Sequence, residues 1–68
     1  MSNYEVTGYD KEGREVFHVL VEAPTEHVAK LYGTAQLQRT PDGAEAVRSA
    51  VKTEARVRDR IAVMRDDF

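Results

Sequence analysis

Cysteine is absent from the 68 residues, so no disulfide can brace the chain and no thiolate can act as a nucleophile or metal ligand. Imidazoles are nearly as scarce, with His18 and His27 alone. A zinc site would need Glu22 or Glu26 beside them, and nothing in the spacing brings the two histidines together. They read as surface or half-buried residues, with no metal and no cofactor. Apolar runs such as Val19-Leu20-Val21 fall far short of the roughly 20 residues that cross a bilayer. Met1-Ser2-Asn3-Tyr4 lacks the basic segment and apolar core of a signal peptide. No membrane association is expected. The cysteine-free composition fits a cytoplasmic protein, read as one complete domain over residues 1–68.

Groups that would support catalysis are also missing. Gly8, Gly13, Gly33 and Gly43 are scattered, so no glycine-rich loop cradles phosphate. Ser2 and Ser49 lack the glycine-flanked elbow of a nucleophilic serine. Carboxylates are plentiful, but acid–base chemistry needs a pair held in a pocket. A chain this short rarely encloses a cleft of a few hundred Å³. The expectation is a protein that binds and is not an enzyme.

The composition that remains is that of a folded domain, 41% hydrophobic and 32% charged, with a net charge of −2. That charge exerts no overall attraction on nucleic acid. A domain of this size buries only about 60% of its unfolded surface, so its stability is marginal. A homodimer is one way to bury more.

Tyr4-Glu5-Val6-Thr7-Gly8-Tyr9 has strand composition, with Tyr4 and Val6 on one face. Gly8 marks a bulge or a close approach. Asp10-Lys11-Glu12-Gly13 is a turn, with Gly13 free to adopt the left-handed conformation. Residues 14–23 form the second strand of a hairpin. Phe17, Val19, Val21 and Ala23 line its core face, and Val16, His18, Leu20 and Glu22 line the other. After Pro24, Thr25 is suited to cap a helix in which Val28, Leu31, Tyr32 and Ala35 form the apolar stripe. That helix fades near Arg39. Asp42 and Glu45 resemble a capping box for a second helix from about Ala44.

Residues 57–65 carry two patterns. A strand puts Val57, Ile61 and Val63 on one face. A helix continuing from residue 44 gathers Val47, Val51, Val57, Ile61 and Met64. A lone hairpin needs a third strand, so the expected fold is α+β, a hairpin followed by two helices and a third antiparallel strand (ββααβ). The alternative is ββαα with one long C-terminal helix.

Two surfaces are candidates for partners. Arg48, Lys52 and Arg56 recur every four residues, a basic ridge on a helix; Arg58 and Arg60 extend it and on a strand project from one face, and either arrangement could neutralise phosphates. Tyr9, Val16, His18 and Leu20 make an apolar hairpin face suited to a protein partner.

The segment from Tyr4-Glu5-Val6-Thr7-Gly8 through Phe17 to Ala23 and on to Thr25-Glu26-His27-Val28-Ala29-Lys30-Leu31-Tyr32 resembles two families. One is the archaeal large-subunit ribosomal protein LX, also matched by the basic Arg56-Val57-Arg58 ahead of Ile61. The other is the small repeated domain of type II secretion inner-membrane proteins. Both resemblances imply a small ββαβ-type architecture. By kind alone, the chain is also similar to short phage and mobile-element proteins that block host machinery. The expected function is a small protein-binding module, an inhibitor or modulator of a larger host complex. The alternative is an RNA-binding accessory protein of the ribosomal type.

Overall fold

The structure, a computed structural model, describes residues 1–58. In chain order it runs β1 (Ser2–Tyr9), β2 (Glu15–Ala23), α1 (Glu26–Leu37), α2 (Pro41–Ser49) and β3 (Lys52–Val57). This is the ββααβ α+β layout expected from the sequence. The strands form one antiparallel sheet in the order β2-β1-β3, and both helices pack on one of its faces.

The hairpin turn forms as its residues dictate. The Asp10 Oδ1 accepts from the Glu12 and Arg14 backbone N–H groups, both at 2.9 Å, and Gly13 adopts φ 84°. Gly8 lies opposite Phe17, and a Cβ at Gly8 would fall 2.1 Å from the Phe17 ring. The ring occupies the space that any larger residue would claim. The ladder then slips, with Gly8 paired to Phe17 and Tyr9 to Glu15. Val16 is the extra residue of a bulge. It packs half-buried against the core and so leaves the outer face on which strict alternation places it.

Thr25 caps α1, its Oγ1 accepting from Val28 N–H at 3.2 Å. The buried side of α1 is not the stripe of large residues that its sequence suggests. Ala29 and Gly33 are buried, with Val28 and Leu37 beside them, whereas Leu31 and Tyr32 are 55% and 50% exposed. The reason is closeness. A Cβ at Gly33 would lie 3.1 Å from Val19 Cγ2 and 3.3 Å from Val6 Cβ, so only small side chains fit between helix and sheet.

Thr40, not Asp42, caps α2. Its Oγ1 accepts from Gly43 N–H at 3.1 Å, and Pro41 opens the first turn. Ala50 is extended, with φ −74° and ψ 130°. Val51 N–H then donates to the Tyr9 carbonyl at 2.8 Å, which starts β3 at Lys52 instead of Val57. Residues 59–65 of the expected strand lie outside the described residues. The core consists of Tyr4, Val6, Phe17, Ala23, Ala29 and Ala55, drawn from all three strands and α1.

Candidate functional site: the open face of the sheet

Side chains alternate across a sheet, so the face away from the helices is set by the register. It carries Glu5, Thr7 and Tyr9 from β1, His18, Leu20 and Glu22 from β2, and Lys52, Glu54 and Arg56 from β3. Arg58 follows at the end of β3 and donates its backbone N–H to the Asn3 carbonyl at 2.8 Å.

Two carboxylates organise this face. Glu5 Oε2 accepts from His18 Nε2 at 2.8 Å and from Arg58 Nη1 at 2.6 Å, which ties the three strands together across β1. Glu54 lies between Lys52 Nζ at 3.0 Å and Arg56 Nη2 at 3.8 Å. Thr7 is buried between these clusters. A shallow depression of ≈ 260 Å³ runs over Glu5, Thr7, Tyr9, His18, Glu54 and Arg56. Leu20, 59% exposed, is the large apolar side chain at the β2 side of this face.

The His18 hydrogen bond, aided by Arg58 and opposed by desolvation, holds Glu5 below the usual carboxylate range. The Lys52 hydrogen bond does the same for Glu54. A general base works best with a pKa near the operating pH, and both groups move away from it. At neutral pH they are fixed anions that hold neighbouring cations in place.

The two sequence-derived surfaces are therefore redrawn. Tyr9, His18 and Leu20 share the open face, but Val16 belongs to the core side. The face is not an apolar patch, because Glu5, Glu22, Glu54 and the β3 cations occupy most of it. The helical ridge of Arg48, Lys52 and Arg56 does not form. α2 ends at Ser49, so Arg48 stays in the helical layer while Lys52, Arg56 and Arg58 lie along one side of the strand. Arg60 lies outside the described residues. The sequence reading missed Glu5, Thr7 and Glu54. The period of two in Lys52-Glu54-Arg56 and the hairpin register that brings Glu5 beside His18 are the signals that could have found them.

His27 is exposed in the first turn of α1. Among the described residues no group of three or more His, Asp or Glu is arranged to hold a metal ion. No helix among them is long and apolar enough to cross a membrane. Comparison with protein-family models, with curated proteins and with solved structures finds no match to this chain.

Proposed function

We propose that the protein is a non-catalytic, cytoplasmic binding module that engages a protein partner through the open face of its sheet. The observation that carries this reading is a sheet face left uncovered by either helix, on which Tyr9, His18 and Leu20 stand among ordered ion pairs. Mixed polarity around a few larger anchors is the anatomy of a non-obligate protein interface. The finer reading is an inhibitor or modulator of a larger host complex, of the phage or mobile-element type. It rests on the small size of the chain and acts by steric occlusion.

The alternative, RNA binding, draws on the resemblance to ribosomal protein LX and on the cations of β3. Those cations are interleaved with acids: Glu54 holds Lys52 and Arg56, and Glu5 holds Arg58. Phosphate contact would have to displace these carboxylates, so the arrangement favours a protein partner.

The test is affinity capture from a host lysate, run in parallel on the wild type, Tyr9→Ala/Arg56→Ala and Leu31→Ala/Tyr32→Ala. A specific protein lost with the first variant and kept with the second is the expected result. Recovery of RNA instead, with binding that falls steeply with salt and is lost in Lys52→Ala/Arg56→Ala, would establish the alternative.

A further inference from the structure

The two edges of the sheet are built differently. β3 is six residues long and carries Lys52, Glu54 and Arg56, the charged, short form that discourages further pairing. β2 is nine residues long, and its central run Val16-Phe17-His18-Val19-Leu20-Val21 contains neither lysine nor proline. An edge of that kind is a template for another strand.

The backbone of β2 fixes which groups are on offer. Arg58 N–H donates to the Asn3 carbonyl and Val51 N–H to the Tyr9 carbonyl, so the odd-numbered residues of β1 aim their backbone groups at β3. Tyr4, Val6 and Gly8 therefore aim theirs at β2, where they face Val21, Val19 and Phe17. Alternation leaves the N–H and C=O groups of His18, Leu20 and Glu22 pointing outward. Among the described residues no strand takes them.

We propose that this edge pairs antiparallel with the same edge of a second copy, about a twofold axis at Leu20, giving a continuous six-stranded sheet. Only registers that match outward-pointing residues with each other form the ladder. An axis at Leu20 sets His18 opposite Glu22 of the second copy and Glu22 opposite its His18, with the two exposed Leu20 side chains in contact between them. On the helix side it sets the half-buried Val19 opposite the second copy's Val21. Opposite-polarity and β-branched cross-strand pairs are the favourable ones. A shift of the axis to Val19 sets His18 against Leu20 and Glu22 against Val16, and a shift to Glu22 sets two carboxylates together. Of these three registers the Leu20 axis is the one that satisfies both faces, and it forms an isologous, closed dimer. His18 and Leu20 also belong to the open face, so the dimer sets the open faces of two copies side by side, and chain mass and cross-linking report it separately from capture of a partner on that face.

Sedimentation equilibrium on the full chain tests this. The wild type is expected at twice its 7.7 kDa chain mass, shifting to one chain in Leu20→Lys, which sets two ammonium groups on the axis. Circular dichroism of Leu20→Lys should match the wild type, because the side chain is exposed in the monomer. The chain has no cysteine of its own, so Leu20→Cys reads the register directly. Hydrogen-bonded antiparallel partners have Cα atoms about 5.5 Å apart, within disulfide reach. Leu20→Cys should oxidise to a covalent dimer much faster than Lys52→Cys on the other edge. A wild type that stays at one chain mass up to roughly millimolar concentration would overturn the proposal. So would a dimer in which Leu20→Cys cross-links no faster than Lys52→Cys.

Discussion

The same three strands present two opposite chemistries. On the helix side, Val6, Ala23 and Ala29 are fully buried, and α1 comes so close at Gly33 that methyl-sized differences matter. On the other side, Glu54 holds Lys52 and Glu5 holds Arg58 in partly exposed geometry around Thr7. Burial dominates the energetics of the first face, because removing apolar area is worth about 25 cal/mol per Å². The second face contributes little per contact, because partly exposed ion pairs are worth about 0.2–1 kcal/mol. A small domain can therefore vary its open face at low cost in stability, and that freedom suits a binding surface.

The contrast can be broken most severely at Phe17, whose ring fills the space above Gly8. Phe17→Ala should cost about 3–5 kcal/mol, read from the urea midpoint, and would leave so small a domain largely unfolded. Gly33→Leu should cost about 1–3 kcal/mol by overpacking against Val6 and Val19. Glu5→Gln, on the open face, should cost only about 0.2–1 kcal/mol, and that cost should depend on pH. The Glu5 pKa is lower folded than unfolded. Its contribution is therefore present above the usual carboxylate pKa of about 4.3 and is lost as pH falls through the lower folded value. The difference between wild type and Glu5→Gln should thus shrink in acid, as followed by urea titrations from neutral pH downward. Leu31→Ala/Tyr32→Ala, on the outer side of α1, should change stability least, within about 0.5 kcal/mol per site.

The hairpin was legible because its determinants are local. Asp10 and Gly13 specify the turn, and alternation from Phe17 to Ala23 specifies the core face. Thr25 was legible as a cap for the same reason. The inward side of α1 was not, because Leu31 and Tyr32 give the stronger hydrophobic pattern while the buried positions are small. Only the distance between helix and sheet decides in favour of Ala29 and Gly33, and that distance is a tertiary quantity. The end of α2 was misplaced because residues 44–56 contain no glycine after Gly43 and no proline after Pro41. The pull of β1's unpaired edge on Lys52–Val57 overrides local helix propensity there. The same override turned a supposed helical basic ridge into a strand in which Glu54 alternates with cations. Of the residues along the open face, Tyr9, His18, Leu20, Lys52, Arg56 and Arg58 are ones that the sequence also singles out. Their organisers, Glu5 and Glu54, needed the register across three strands.

On the proposed function, the open face binds a protein while the covered face holds the fold. Parallel affinity capture with the wild type and Tyr9→Ala/Arg56→Ala tests it most directly, with each variant's folded state checked by circular dichroism. The expected result is a folded variant that no longer retains the protein captured by the wild type. A folded variant that captures the same protein undiminished would contradict it.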